Sequence, residues 1–155
     1  MHITPHFAVT GALSQQDFAA AAAAGFKSIV SNLPDGESSA YLTGAEEAEL
    51  AARAGLRFRH IPATKFEVFS DRVVGDLSAA LHELPGPVLA HCASGLRSAV
   101  AWAAAAARSQ PADRVLEALR AAGFDLESIR DQLEDQRNAG VTGPIPATLD
   151  ASQRP

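Results

Sequence analysis

Short apolar runs alternate along this chain with longer segments in which apolar residues recur at helical spacing. The runs predict four strands, at residues 6–9, 27–32, 56–61 and 87–91. The run at 87–91, PVLAH, is continuous, which is typical of a central parallel strand covered on both faces. The pattern therefore places this strand in the middle of a sheet.

Helix signals fill the segments between the strands. Ser14 with Asp17, and Thr43 with Glu46, form capping patterns, and each of the two helices that follow ends at a glycine. Further helices are predicted over residues 71–84, 98–108, 111–123 and 126–138. The second of these is built almost wholly of alanine, which suits a helix packed close against a sheet.

The alternation of strands and helices predicts the fold class. Each connection is long enough for a right-handed crossover, so we expect an α/β protein with a mostly parallel sheet of about four or five strands and helices on both faces. The length of 155 residues suits one domain. We place that domain at residues 1–139 and expect a flexible tail over 140–155, where three prolines occur and apolar residues are few.

Composition and charge exclude several kinds of function. A net charge of −5 and a pI near 5.5, with scattered basic residues, argue against a nucleic-acid or anionic-membrane partner. No apolar stretch approaches the roughly 20 residues of a membrane helix, and the N-terminus lacks the pattern of a secretory signal. One cysteine excludes an internal disulfide, and the five histidines show no metal-ligand spacing. We therefore expect a cytoplasmic protein with neither metal nor cofactor.

The only cysteine, Cys92, directly follows the predicted central strand, at the edge where ligands of parallel sheets bind. Unpaired backbone N–H groups of the turn and of the following helix can surround an anion there. Gly95 permits the positive φ that a tight ring needs, and Arg97 offers a planar fork for two oxygens. The predicted anion site comprises Arg97, the backbone of Ala93, Ser94, Gly95 and Leu96, and the hydroxyls of Ser94 and Ser98, which could donate to the sulfur or cap the helix.

A free cysteine can also be a small buried side chain without reactivity. The order of strand, cysteine, glycine, arginine and helix favours the reactive interpretation, because each piece has a separate role in one anion site. A helix N-terminus and Arg97 both favour the thiolate form of Cys92, which is the nucleophilic form. The sequence therefore predicts a nucleophilic cysteine.

The turn HCASGLRS resembles the active loops of two kinds of enzyme. Cysteine-based protein phosphatases carry five residues between cysteine and arginine, whereas rhodanese sulfurtransferases carry four, as this chain does between Cys92 and Arg97. With the segments ITPHFAVTGALSQQDFAAAAAAGFKSIVSNLPDGE and AARAGLRFRHIPA, the chain resembles a family of phosphatase-like sulfur transferases over residues 3–137. Members occur alone or fused to metallo-β-lactamase-type hydrolases and persulfide dioxygenases.

The resemblance implies a cysteine-phosphatase-like fold, Cys92 as nucleophile, and Arg97 with the loop backbone as the anion cradle. Two positions depart from the family. Ala12 stands where the family tends to have glutamine, and Leu33 stands where it tends to have arginine. The second change removes a cation just before PDGE, so anion binding outside the loop is expected to be weaker.

Two features separate sulfur transfer from phosphoryl transfer. The shorter loop favours a slimmer target than a phosphoryl group, and a phosphatase also needs an acid to protonate its leaving alcohol. The segment PATKFEVFSD, residues 62–71, offers Glu67 as a weak candidate and no aspartate before Asp71, at the start of a helix. His91 is a second weak candidate for a catalytic role, with a ring expected to face away from the loop.

The main hypothesis is therefore a sulfurtransferase. Cys92 would take sulfane sulfur from thiosulfate or a low-molecular-weight persulfide and pass it, through a Cys92 persulfide, to a thiol such as glutathione. Two alternatives remain open. One is a phosphatase for phosphotyrosine or small phosphoesters that works through a Cys92 phosphocysteine, and the other is a non-catalytic module that binds an anion or a partner.

Overall fold

The computed structural model describes residues 1–140 and 145–152, which form five strands, six α-helices and one 3-10 turn. In chain order these are β1 (His2–Thr4), β2 (Phe7–Thr10), α1 (Gln15–Ala23), β3 (Ser28–Ser31), α2 (Gly44–Arg53), β4 (Arg57–His60), α3 (Asp71–Glu83), β5 (Val88–His91), α4 (Leu96–Ala107), α5 (Ala112–Ala121), the 3-10 turn (Glu127–Ile129) and α6 (Arg130–Asn138).

The strands form one sheet in the order β1-β2-β5-β3-β4. Strands β2, β5, β3 and β4 run parallel, and β1 pairs with β2 in the antiparallel direction. All four residues of β5 are buried, so the strand lies in the centre, where both of its faces are covered. The predicted α/β class with a mostly parallel sheet is confirmed.

Helices cover both faces of the sheet, as the pattern predicts. The larger apolar cluster packs α3, α4, α5 and α6 on one face, around the fully buried Trp102. The smaller cluster packs α1 and α2 on the other face, around Phe18, Ile29 and Leu56. Helix α4 contributes mainly alanine to the larger cluster, and these small side chains let its backbone approach the sheet closely.

The capping patterns in the sequence do begin helices. The Asp17 carboxylate accepts a hydrogen bond from the Ser14 N–H at 2.7 Å. Thr43 Oγ1 accepts from the Glu46 N–H at 3.2 Å, and the Glu46 carboxylate accepts from the Thr43 N–H at 2.9 Å. These bonds satisfy N–H groups that a helix start otherwise leaves unpaired.

The sequence pattern did not predict β1. Its three residues are too few to show a period, and its support comes from pairing with β2. Met1 extends that pairing, since its amino group donates to the Val9 carbonyl at 2.8 Å. Tertiary contact therefore defines this strand.

Part of the segment expected to be a flexible tail packs on the core instead. Thr148 and Leu149 are buried, and the Trp102 indole N–H donates to the Thr148 carbonyl at 2.9 Å. The Thr148 hydroxyl donates to the Leu81 carbonyl at 3.1 Å, and Gln110 donates to the Leu149 carbonyl. A buried indole needs an acceptor, and this segment supplies one. The rest of the expected tail, residues 141–144 and 153–155, lies outside the described residues.

Removing residues 146–155 should lower the free energy of unfolding by about 2–4 kcal/mol, because Leu149 burial and the Trp102 acceptor are both lost. Urea unfolding followed by the fluorescence of Trp102 measures this change. Thr148→Val is the milder comparison, since it removes only the hydroxyl bond to Leu81, for a loss of about 1 kcal/mol. An unchanged urea midpoint in the shortened chain would contradict the packing of this segment.

Candidate active site

Cys92 directly follows β5, and its side chain is a free, buried thiol with 1% of the residue exposed. The chain turns back after it, so that the Gly95 N–H donates to Cys92 Sγ at 3.1 Å. A backbone N–H at this distance stabilises negative charge on the sulfur. The residue predicted as the nucleophile therefore lies at the base of the loop, with a hydrogen-bond donor directed at it.

Gly95 forms the N-cap of α4 with a φ of 92°, in the left-handed region. A Cβ atom there would also lie 3.4 Å from the Thr10 carbonyl carbon, so both conformation and space favour glycine. The Leu96 N–H donates to Ser94 Oγ at 3.4 Å, so the predicted Ser94 hydroxyl lies at the start of α4. The N-terminus of this helix carries the positive end of the helix dipole, which favours an anion at the loop.

Arg97 lies in the first turn of α4 and is held on one side by a carboxylate. Its Nη1 and Nη2 donate to Glu37 at 2.9 and 3.0 Å, and Nη1 also donates to the Ala63 carbonyl at 3.1 Å. The hydrogen bonds to Glu37 are the main cause of a pKa of Arg97 above its ordinary value. These bonds use three of the five N–H groups of Arg97, so the guanidinium keeps two with which it could bind an anion.

Glu37 comes from the turn PDGE, which in the sequence carried only part of the family resemblance. Gly36 has a φ of 80°, and the Asp35 carboxylate accepts from the Gly44 N–H at 2.7 Å. The His60 ring approaches the Leu33 carbonyl at 2.7 Å on the other side of this turn. These contacts fix the turn between β3 and α2, and thereby direct Glu37 toward Arg97.

Ser98 does not contact the thiol. Its hydroxyl donates to Asn32 Oδ1 at 2.7 Å, and both residues are buried. Asn32 Nδ2 in turn donates to the Ile61 carbonyl at 2.9 Å, and the Asn32 carbonyl accepts from the Ala63 N–H at 3.2 Å. Asn32 therefore links α4 to the connection after β4, which carries the Ala63 carbonyl that Arg97 uses.

The ring of His91 faces away from the loop, as the sequence analysis expected. Its Nε2 contacts Glu47 Oε1 on α2, and each side chain is only 1% exposed. Glu47 was not predicted, although the sequence contains a signal for it. Glu47 lies four residues before the buried Ala51, so a helical period places a carboxylate on the apolar face of α2.

Glu67 is engaged within its own loop. Its Oε1 accepts from the Thr64 N–H at 2.9 Å, and Arg72 donates to Oε2 at 3.2 Å. The hydrogen bond from the Thr64 N–H is the main cause that holds the pKa of Glu67 below its ordinary value, and Arg72 adds to it. Because the folded-state pKa is lowered, this loop contact is lost only as the pH falls through that lowered value. Glu67 therefore stays ionised at neutral pH, which is unsuitable for a general acid.

The structure thus brings Cys92, the loop backbone and Arg97 together, and it places Glu67 and Ser98 in other contacts. Within residues 1–140 and 145–152, no group of three or more His, Cys, Asp or Glu side chains is arranged to hold a metal ion. No helix in the described part of the chain is long and apolar enough to cross a membrane. The groups that the structure brings together at the candidate site are one thiol, one guanidinium and backbone N–H groups.

Comparison with known families and sequences gives a consistent result. The family model for the phosphatase-like domain of beta-lactamase hydrolase-like proteins matches residues 1–109. A beta-lactamase hydrolase-like protein from Agrobacterium fabrum is 29% identical over 142 residues, which cover 90% of this chain and 32% of that protein. The chain thus spans about a third of the length of the curated relatives it matches.

Solved structures show the same fold. A protein from Neisseria meningitidis, provisionally named a phosphatase, is 28% identical with a TM-score of 0.75, over 88% of this chain and 97% of that one. A kinase associated phosphatase is 20% identical with a TM-score of 0.60, over 81% and 76% of the two chains. The expected cysteine-phosphatase-like fold is confirmed.

Gly95→Ala should lower the free energy of unfolding by about 1–2 kcal/mol and slow any reaction of Cys92, because alanine disfavours the left-handed conformation that directs the N–H to sulfur. Gly75→Ala is the matched control. Gly75 lies inside α3 with no atom within 4 Å of the added Cβ, so alanine should stabilise the protein by about 0.5–1 kcal/mol. Thermal unfolding and alkylation of Cys92 measure both effects, and equal responses of the two variants would contradict this role of Gly95.

Proposed function

This chain belongs to the family of phosphatase-like domains of beta-lactamase hydrolase-like proteins, and from that premise we propose that it is a cysteine-dependent group-transfer enzyme. One observation carries the proposal. The Cys92 sulfur accepts the Gly95 N–H, and the guanidinium of Arg97 lies on the same loop with N–H groups to spare. A buried nucleophile and a partly exposed anion-binding group thus lie within six residues of each other, at the loop and the first turn of α4.

We infer that the group transferred is sulfane sulfur. The Cys92 thiolate attacks the outer sulfur of thiosulfate, the S–S bond breaks, and sulfite leaves with the electron pair. Cys92 is then a persulfide. The thiolate of an acceptor such as glutathione attacks the outer sulfur of that persulfide, and Cys92 leaves as a thiolate. Arg97 and the loop N–H groups would hold the sulfonate end of the donor and the charge that develops on cleavage.

The hydrogen bonds of Glu67 support sulfur transfer over phosphoryl transfer. The connection after β4 contacts Arg97 through the Ala63 carbonyl, but its carboxylate, Glu67, is already bonded to Thr64 and Arg72. An alcohol needs a proton as it leaves, and loss of that proton transfer costs about a hundredfold or more. Sulfite and a thiolate are stable anions and can leave without one. The four-residue spacing between Cys92 and Arg97 supports the same conclusion.

A phosphatase is the second candidate, and the comparisons favour it. The matched family describes a phosphatase-like domain, and the Neisseria protein carries a phosphatase name. In that reaction the Cys92 thiolate would attack phosphorus, the alcohol would leave, and water would release phosphate from the phosphocysteine. Water or the substrate itself would then have to provide the proton that Glu67 does not.

Intact-mass measurement separates these candidates. After incubation with thiosulfate or glutathione persulfide, the chain should gain one sulfur atom, and glutathione should remove it. Cys92→Ser should gain nothing, because an alcohol neither forms an anion at neutral pH nor accepts sulfane sulfur. If the chain instead gains a phosphoryl group from a phosphate ester and gains nothing from either sulfur donor, the sulfur-transfer hypothesis is wrong and the phosphatase hypothesis is supported.

The turnover rates of an Arg97→Lys variant also distinguish sulfur transfer from phosphoryl transfer. Lysine keeps the charge but loses the paired N–H groups, so turnover with thiosulfate, whose sulfonate matches the fork, should fall more than turnover with a persulfide. A phosphatase would lose nearly all activity in this variant. Glu67→Gln is the matched control and should keep sulfur transfer within about twofold, whereas a general acid would cost about a hundredfold.

A further inference from the structure

Two exposed apolar side chains lie on the segments that meet at Arg97. Phe66 is 87% exposed and Leu96 is 45% exposed, and they are two of only four large hydrophobic residues that are exposed in the described part of the chain. Leu96 directly precedes Arg97 in α4. Phe66 lies three residues after Ala63, whose carbonyl accepts from Arg97 at 3.1 Å, and three residues span at most about 10 Å. Two such side chains beside one site form a contact surface for a ligand.

The turn that carries Phe66 is held in place, so the exposure of its ring is a property of the fold. The Glu67 carboxylate accepts from the Thr64 N–H at 2.9 Å, and the Glu67 N–H donates to the Thr64 carbonyl at 3.0 Å. Ala63 and Val68, which flank this turn, are both buried. These contacts leave the Phe66 ring in water, where burial of its apolar surface by a ligand is favourable.

Lys65 adds a positive charge to this surface. Its Nζ atom lies over the Phe66 ring, 5.2 Å from the ring centroid, in a cation–π contact. Lys65 is exposed and forms no ion pair with any described residue, whereas Arg97 is paired with Glu37. The ammonium can therefore donate to a carboxylate of a ligand whose apolar part contacts the ring.

The size of this surface fits a small molecule better than a protein. One aromatic and one aliphatic side chain offer roughly 200–300 Å² of apolar surface, whereas each partner of a stable protein complex buries about 800 Å². Thiosulfate contains no carbon, so it cannot use an apolar surface. Of the two substrates of the proposed reaction, the acceptor thiol is the one that always has an organic part.

We propose that Lys65, Phe66 and Leu96 bind the organic part of the acceptor, and that the acceptor is a small thiol with an apolar body and a carboxylate. The proposal rests on the proposed sulfur transfer and names the class of its second substrate. The bound acceptor thiolate attacks the outer sulfur of the Cys92 persulfide, the S–S bond breaks, and Cys92 leaves as a thiolate with the electron pair. The acceptor becomes a persulfide that keeps the proton of the transferred sulfur, so the step needs neither oxidant nor reductant.

The rate of sulfur removal by different thiols tests this site. The chain is loaded with sulfur from thiosulfate, and second-order rate constants are measured for 2-mercapto-3-phenylpropanoate, 2-phenylethanethiol and 2-mercaptoethanol. In Phe66→Ser, the rate constants of both phenyl thiols should fall about tenfold relative to that of 2-mercaptoethanol, because the contact with the ring is lost. In Lys65→Gln, the carboxylate-bearing thiol should lose about threefold relative to 2-phenylethanethiol. Comparison of each ratio with that of the parent cancels the intrinsic reactivities of the thiols.

Lys27→Gln is the matched control. Lys27 is the only other lysine of the chain, and it is exposed at the start of β3, at the opposite end of that strand from the site. All three rate constants should be the same in this variant as in the parent. Unchanged ratios in either Phe66→Ser or Lys65→Gln, or an equal loss with all three thiols, would overturn the proposal, while loading from thiosulfate would leave the proposed function intact. A parent that gains sulfur from neither thiosulfate nor glutathione persulfide would overturn the proposed function and this proposal with it.

Discussion

The position of β5 between two parallel strands determines where the chemistry of this protein lies. His91, its last residue, pairs with Thr10 on β2 and Ser31 on β3, so three strands end at one level. Their connections must leave the sheet side by side, and Cys92 begins the middle one. Gly11 in the connection after β2 and Gly95 in the connection after β5 let these two connections lie close together. A Cβ atom on Gly11 would lie 3.2 Å from the Ala93 carbonyl oxygen.

Polar contacts then join these connections into one unit. Asn32, directly after β3, accepts a hydrogen bond from Ser98 of α4 and donates one to the chain after β4. Arg97 donates both to Glu37 and to the Ala63 carbonyl. Asn32 and Ser98 are buried, so breaking their hydrogen bond would leave a polar group unpaired, whereas Arg97 and Glu37 are partly exposed. The geometry around Cys92 is therefore fixed before any substrate binds, which is the condition for effective electrostatic stabilisation of a transition state.

Few charged groups make up this site. One guanidinium, that of Arg97, lies within the electrostatic influence of the Cys92 thiol, and one carboxylate, that of Glu37, pairs with the guanidinium. No second cation of the described residues takes part in these contacts, consistent with Leu33 standing where the resembled family tends to have arginine. A site of this kind suits a small anion whose reactive atom enters a narrow loop, and the family match over residues 1–109 includes the loop.

Local sequence was sufficient for much of the fold and for the position of the loop that follows the central strand. Periodicity predicted the parallel sheet, capping residues marked the starts of α1 and α2, and the order of strand, cysteine, glycine and arginine predicted the loop around Cys92. These features depend on residues close together in the chain, where spacing translates directly into geometry. Strand β1 and the packed segment around Thr148 escaped prediction because their support comes from distant partners, β2 and Trp102.

The partners of the site residues were decided only by the tertiary structure. Glu37 is sixty residues from Arg97, and Glu47 is forty-four from His91. Nothing in the sequence between them indicates the pairing. The position of Glu67 in a loop suggested a general acid. In the folded protein, however, its carboxylate accepts hydrogen bonds from the Thr64 N–H and from Arg72, which lower its pKa. A sequence determines which groups can ionise, but charge and orientation depend on neighbours that only folding brings within hydrogen-bond distance.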